Sequence, residues 1–324
     1  MEQAQRHATA FLSPANADIL GLLQHFWWEQ GDSWQEQWEK LYNYYSDNEL
    51  ALFFLCTIVI PALSFWMYNA VLIVIHLTGK PHFFTEYKIQ KNHPADLAKL
   101  GRALITVVCN QIFISIPMIM LMYPIMKYFG NPCSIKLHTY YLVLLDLIIC
   151  VLIEETFFYY SHWLLHHHKI YKYIHKKHHD WTAPIGIVGF YSHPLDHILS
   201  NMLPAIIGPM LMGSHVTSIM LWFSIVVIGT TITHSGYHLP FLPSPQFHDF
   251  HHLKSNQCYG IVGILDRLNG TDLLFRQNKA YDRHILLFGL TPLNKSLPPP
   301  PQKKKSTDTQ TPYVWENYHR FINK

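Results

Sequence analysis

Charged side chains are scarce in this sequence. Asp, Glu, Lys and Arg make up 14% of its 324 residues and hydrophobic residues 49%, whereas charged residues form about a quarter of a typical soluble domain. The formal net charge is only +3, which is too small to indicate a nucleic-acid partner. The composition therefore favours a membrane protein.

Cysteine motifs and cofactor fingerprints are also missing. The five cysteines form no Cys-x-x-Cys pair and no regular framework, which argues against a disulfide scaffold and a cysteine-type zinc finger. No Gly-x-Gly-x-x-Gly follows a strand pattern, and no Cys-x-x-Cys-His is present. Electrons for any redox reaction would therefore have to come from another protein. The first residues also lack the basic start and short apolar core of a cleavable signal peptide.

Long apolar runs are the main feature that is present. They cover residues 50–77, 103–129, 140–160 and 197–233, and a spanning helix needs about 20 apolar residues. Pro61 is expected to kink the first run. The last run turns near residue 213 and is long enough for two short helices, or for a re-entrant hairpin followed by a span. The sequence thus predicts an all-α, multi-pass membrane protein with about four spans.

The segments outside these runs suggest a three-part organisation. Residues 1–48 are predicted to be an amphipathic segment at the membrane interface, because Trp27, Trp28, Trp34 and Trp38 lie in it; an ordinary packed N-terminal segment is the alternative. Residues 49–291 form the predicted catalytic domain. Residues 292–324 contain four consecutive prolines and a lysine run, which predicts a disordered tail.

The lysine distribution predicts the orientation. Lys80, Lys88, Lys91, Lys99 and Arg102 follow the first run, and four more lysines follow the third, whereas the region before the first run is acidic. The positive-inside rule places the N-terminus outside the cytosol and the histidine-rich segments on the cytosolic side.

Histidines in helical spacing are the strongest chemical signal. Three clusters and one further pair repeat i, i+3 or i+4 spacings, which place side chains on one face of a helix. The ten candidate metal ligands are His162, His166, His175, His178, His179, His234, His238, His248, His251 and His252. Ten imidazoles suit two ions with about five each and an open position for reaction. Imidazole binds iron, zinc and copper alike, so spacing does not name the metal. His167 and His168 are interpreted as neighbours of ligands.

Three further side chains are candidates for orienting the ligands. Glu155 lies seven residues before His162 on the same helical face, although a structural buried acid would show the same pattern. Asp249 lies inside the third cluster, and His193 lies at a predicted helix start before Pro194. We expect Asp266 and Asp272 to cap the C-terminal turn.

The ordered motifs resemble the fatty acid hydroxylase/sterol desaturase superfamily of membrane di-iron oxygenases, and more closely its C-4 methylsterol oxidase branch. The resemblance rests on residues 174–179 (IHKKHH), 192–196 (SHPLD), 234–237 (HSGY), 248–252 (HDFHH) and 266–272 (DRLNGTD). It implies two Fe ions, with zinc able to occupy the site in purified protein. It also implies O2-dependent hydroxylation of a lipid, cytochrome b5 and an NAD(P)H-dependent reductase as electron donors, and the endoplasmic reticulum membrane.

One departure from the family pattern leaves a second hypothesis open. Trp163 stands where members usually carry arginine, and tryptophan lacks the guanidinium fork that binds a carboxylate or phosphate. All the cluster histidines remain, so a lipid monooxygenase is favoured, acting on a methylsterol or, as the alternative, on a fatty acyl or sphingoid lipid. The second hypothesis is a regulatory membrane protein that keeps the metal cage with little turnover.

Overall fold

Helices account for the regular structure of the described residues, 31–91 and 96–297 of a computed structural model. Within these residues the one β-type contact is an isolated antiparallel bridge between Lys88 and Tyr237. The longer helices are α1 (Glu49–Thr78), α2 (Leu97–Phe129), α3 (Tyr140–Leu165), α4 (Pro194–Met212), α5 (Val216–His234), α6 (Gln246–Lys254) and α7 (Ile264–Asn269). Short helical turns cover His82–Thr85, His168–Tyr171, His175–Asp180, Gly186–Phe190, Leu273–Arg276, Lys279–Asp282 and Leu293–Ser296.

Four of the described helices, α1, α2, α4 and α5, are long and apolar enough to cross a membrane. This confirms the predicted fold class. The last apolar run forms two helices that are separated at Gly213, which has a left-handed φ of 60°. The run 140–160 forms the 26-residue helix α3, but α3 is not among the four. It contains the acidic residues Asp146, Glu154 and Glu155, which interrupt its apolar character.

Three prolines are accommodated by widened helical turns. Pro61, Pro117 and Pro204 lie just after the π-helical segments Leu55–Val59, Gln111–Ser115 and His197–Met202. A proline ring has no N–H and clashes with the carbonyl of the preceding turn. One wide turn relieves that clash and lets the helix continue.

The described part of the N-terminal segment packs against the loop between α2 and α3. Residues 31–44 are helical, and the buried Trp38 donates a hydrogen bond from Nε1 to the Ser134 carbonyl (3.0 Å). Trp34 is 67% exposed, while Trp27 and Trp28 lie outside the described residues. This helix therefore has both a packed side and an open side.

The end of the described chain also packs on the molecule. Leu293 is buried, and Asn294 donates hydrogen bonds to the carbonyls of Glu86 and Lys88. The four consecutive prolines and the lysine run of the predicted tail lie outside the described residues.

The histidine clusters meet because several chain segments end on one side of the molecule. His162 lies in the last turn of α3, and His234 is the last residue of α5. The loop after α1 reaches the same region, since Ile89 N–H donates to the Gly236 carbonyl and His238 N–H donates to the Tyr87 carbonyl. We call this region, with the turn His175–Asp180 and α6, the histidine cap.

Candidate metal centre

Nine buried histidines of the cap form two groups that could each hold a metal ion. The first group is His162, His166, His175, His179 and His251, and the second is His178, His234, His248 and His252. The ligand atoms within each group lie within 4.8 Å of one another. The groups are neighbours, because the ring centroids of His179 and His252 are 4.8 Å apart.

Each of the two pairs of consecutive histidines, His178–His179 and His251–His252, contributes one residue to each group. His178 belongs to the second group and His179 to the first, and His251 belongs to the first and His252 to the second. Consecutive side chains leave a helical backbone about 100° apart, so one pair can serve two neighbouring ions. Both the turn His175–Asp180 and α6 therefore contribute to both groups.

The spacing of the Nε2 atoms fits metal coordination. Neighbouring Nε2 atoms are 3.0–3.2 Å apart in the first group and 2.7–3.3 Å apart in the second. Two nitrogens that are each about 2.1 Å from one ion lie about 3.0 Å apart at a right angle and about 3.4 Å apart at the tetrahedral angle. Six of the seven observed distances fall in this range, and the seventh, 2.7 Å between His234 and His248, is shorter.

The hydrogen bond at Nδ1 determines whether Nε2 of the same ring carries a proton or a lone pair. Six of the nine rings place Nδ1 2.7–3.3 Å from a backbone carbonyl or a carboxylate. Those oxygens only accept, so Nδ1 must carry the proton, and Nε2 of a neutral ring then presents a lone pair. Lone pairs that converge at about 3 Å repel one another unless a cation lies between them.

Burial favours the neutral form of two of these rings, His251 and His178. It lowers the pKa of His251 to about 3 and that of His178 to about 4. Loss of hydration is the main cause in both, because a buried imidazolium loses its water. Both rings therefore present unprotonated ligands at physiological pH, as metal binding requires.

His238 does not join either group, which corrects the tenth predicted ligand. Its Nε2 donates a hydrogen bond to the Ile285 carbonyl (2.9 Å). Helix α5 ends at His234, and Gly236 then turns the chain with a φ of 72°. The i, i+4 spacing with His234 therefore no longer corresponds to one helical turn. His167 caps the short turn after α3 instead of joining a group.

Glu155 contacts backbone N–H groups instead of an imidazole. It accepts from Ile261 and Val262 (2.8 Å each) and from Leu265 (3.2 Å). Asp266 continues this pattern and accepts from the N–H groups of Tyr259 and Gly260. The Tyr259 carbonyl in turn accepts from His162 Nδ1 at 2.7 Å. Both carboxylates thus act on the first group indirectly, because they bind the backbone segment whose Tyr259 carbonyl contacts His162.

The carboxylate that does contact a ligand is Asp196. Its Oδ2 lies 2.8 Å from His175 Nδ1, and both residues are buried. His193, predicted for this role, instead accepts from Leu195 N–H and caps the start of α4.

Asp249 accepts from Gln90 Nε2 (2.9 Å), and burial raises its pKa to about 6. Gln90 also donates to the Thr182 carbonyl, next to the Trp181 carbonyl that accepts from His252 Nδ1.

Ser255 is a further contact that the sequence pattern does not reveal. Its Oγ lies 3.2 Å from His179 Nδ1, and it ends α6 in the left-handed conformation with a φ of 57°. Glycine is the usual residue at such a helix end, and a residue with a Cβ pays about 1 kcal/mol there. The serine hydroxyl is therefore placed to orient His179.

Ser255→Gly is therefore expected to raise the thermal stability of the metal-free protein while lowering metal occupancy of the first group. Ser255→Asn is the matched control, because asparagine tolerates left-handed φ and keeps an acceptor. Thermal unfolding and metal analysis of the purified variants test this. Full metal occupancy in Ser255→Gly would show that the hydroxyl contact is dispensable.

The fold and the site define a class: multi-pass helical membrane proteins with histidine-lined metal-binding groups. The family model described as "Fatty acid hydroxylase" matches residues 147–271, which contain all nine grouped histidines. The chain belongs to the fatty acid hydroxylase family, whose members are metal-dependent membrane oxidoreductases.

Individual relatives extend this match. Fatty acid hydroxylase domain-containing protein 2 of Homo sapiens is 54% identical over 283 residues, which cover 87% of this chain and 85% of that protein. Methylsterol monooxygenase 1 of Rattus norvegicus is 34% identical over 217 residues (64% and 73%). Fatty acid hydroxylase ahd1 of Mycosarcoma maydis is 34% identical over 201 residues (62% and 52%). No solved structure matches the chain.

Proposed function

We propose that this protein is a di-iron lipid monooxygenase of the endoplasmic reticulum membrane that hydroxylates C-4 methylsterols. The observation that carries the proposal is the convergence of neutral, buried Nε2 lone pairs into two adjacent groups. A structural zinc site needs one set of four ligands. Two adjacent groups suit a reaction that is shared by two ions.

The choice of iron follows from the chemistry. Attack on an unactivated C–H bond is beyond side-chain acid or base catalysis, and a redox metal supplies the required oxidation. The overall reaction balances as R–H + O2 + 2 e⁻ + 2 H⁺ giving R–OH + H2O. Imidazole nitrogen suits iron, and the second group offers four histidines where the first offers five, which leaves room for a non-protein ligand.

The residues around the groups hold the ligands in place. Asp196 fixes the tautomer and ring orientation of His175, and the Tyr259 carbonyl does the same for His162. The tyrosine rings of Tyr171 and Tyr259 lie 5.3 Å and 5.2 Å from that of His166 and cover the first group. Such packing excludes water from the site.

The substrate proposal draws on the relatives. A relative named as a methylsterol monooxygenase and one named as a fatty acid hydroxylase are equally similar, at 34% identity. We favour a methylsterol as the substrate because the match to the methylsterol monooxygenase covers more of each chain than the match to the fatty acid hydroxylase does. A fatty acyl or sphingoid lipid is the second candidate.

The electron supply and orientation follow from charge. The exposed Lys169, Lys172 and Lys176 lie in the segment of the histidine cap that follows α3. A basic surface suits an acidic electron donor such as cytochrome b5, itself reduced by an NAD(P)H-dependent reductase. The positive-inside rule assigns this side to the cytosol.

Purified protein loaded with iron should convert a C-4 methylsterol to an oxidised product when O2, cytochrome b5 and its reductase are supplied. Mass spectrometry of the lipids measures the product, with fatty acyl and sphingoid lipids as parallel substrates. Product from an acyl lipid alone would select the second candidate. No product from any class, with both ions present, would favour the regulatory alternative.

A further inference from the structure

An apolar surface lies on the histidine cap outside the four candidate spans. Residues 260–274, here called the apolar lobe, include α7 and expose six aliphatic side chains at 40–75% of their area. These are Ile261, Val262, Ile264, Leu268, Leu273 and Leu274. Exposed apolar patches of this kind mark an interaction site.

Backbone N–H groups at the start of the lobe find their hydrogen-bond acceptors inside the protein. The carboxylates of Glu155 and Asp266 accept hydrogen bonds from five backbone N–H groups, those of Tyr259, Gly260, Ile261, Val262 and Leu265. Most of these N–H groups lie before α7, outside any helix. Non-helical backbone tolerates a hydrocarbon environment only when its polar groups are satisfied within the protein.

The charged side chains of the lobe are also buried or paired. Its acidic residues, Asp266 and Asp272, are both buried. Asp272 pairs with Arg267 and Arg276 at 3.2 Å each. Arg267 is the one basic residue among the lobe's fifteen positions, all of which the structure describes.

The position of Glu155 gives the depth of the lobe. Glu155 precedes His162 by seven residues, which is about 10 Å along a helix axis. Glu155 holds Ile261 and Val262 at that level, and α7 packs against α3. On the same stretch α3 exposes the apolar side chains of Leu152 and Phe157. The exposed side chains of the lobe therefore extend the apolar surface of α3.

We propose that the apolar lobe inserts into the lipid leaflet on the side of the histidine cap, and that its partner is the hydrocarbon of that leaflet. Only Gly260 separates exposed Ile261 from Tyr259, whose carbonyl contacts His162. The lobe therefore brings the bilayer surface next to the first histidine group, where a lipid substrate would leave the membrane. This extends the proposed function, but the insertion itself requires no bound metal.

Spin labels test the insertion. Val262→Cys and Leu268→Cys are each labelled in a Cys109→Ser background, since Cys109 is the exposed native cysteine, and the full chain is reconstituted in phosphatidylcholine vesicles. Lys172→Cys, on an exposed loop of the cap, is the control. Both lobe labels should collide several-fold more with O2, which dissolves in hydrocarbon, and several-fold less with a water-soluble nickel chelate than the control label does. Equal nickel accessibility at the lobe and the control would overturn the proposal.

Two added variants separate this inference from the proposed function. Glu155→Gln replaces one acceptor oxygen with a donor, so the label at Val262→Cys should become more accessible to the nickel chelate. His179→Ala removes a grouped ligand and should leave that label protected. Loss of protection in His179→Ala with retention in Glu155→Gln would show that metal binding, and not the carboxylate, holds the lobe in place.

Discussion

His178→Ala and His179→Ala, changes at consecutive residues, are expected to remove different ions. His179 belongs to the five-histidine group and His178 to the four-histidine group, so each variant should retain about one ion where the parent binds two. Activity should fall by more than about 100-fold in both, beyond the 10- to 100-fold typical of changes to residues that only orient ligands. The reason is that the proposed reaction needs both ions.

Metal analysis of the purified proteins, combined with product formation from the lipid, measures both effects. His238→Ala is the matched control, because His238 lies in the same cap but hydrogen-bonds to the Ile285 carbonyl. It should keep both ions. Loss of both ions from each single variant would mean that the groups do not form independently, and full retention in either would remove that residue from the ligand set.

Asp196→Asn is expected to weaken metal binding by about 10- to 100-fold, the usual effect of removing a carboxylate that orients a ligating histidine. The carboxylate accepts from His175 Nδ1 at 2.8 Å and holds Nε2 toward the group as a lone pair. An asparagine amide can turn its NH2 toward Nδ1 and favour the other tautomer, which places a proton on Nε2.

Competition with a metal chelator measures this affinity. His193→Ala is the control from the same turn, since His193 contacts Leu195 N–H and no ligand, and it should change the affinity by less than about twofold, well below the loss typical of a ligand-orienting partner. An Asp196→Asn protein with the parent's affinity would show that the backbone around His175 fixes the ring without the carboxylate.

Regular spacing explains which parts of the site the sequence could predict. His248 and His252 lie on α6 and share a group, as their i, i+4 spacing indicates. The same spacing is misleading for His234 and His238, because the helix ends between them. The apolar runs likewise predicted the spans, whereas three acidic residues set α3 apart from them.

Contacts between distant segments could not be predicted from spacing. The carbonyls of Trp181, Tyr191, Gln257 and Tyr259 each face the Nδ1 of a grouped histidine, and any residue type can supply a carbonyl. Asp196 did carry a signal, since it ends the SHPLD motif, but its contact with His175 depends on how α4 begins. Glu155 was predicted to orient a ligand, with a structural buried acid as the alternative, and the fold places it against backbone N–H groups.

The distribution of the two groups along the chain also bears on biosynthesis. The five-histidine group is completed by His251 and the other group by His252, so the ribosome must translate nearly four-fifths of the polypeptide before either cage is whole. A premature stop codon between α5 and α6 would yield a product that contains the four candidate spans but lacks ligands of both groups. Loading of the proposed metal ions would thus be a late event in maturation, and it would report that α6 has been made.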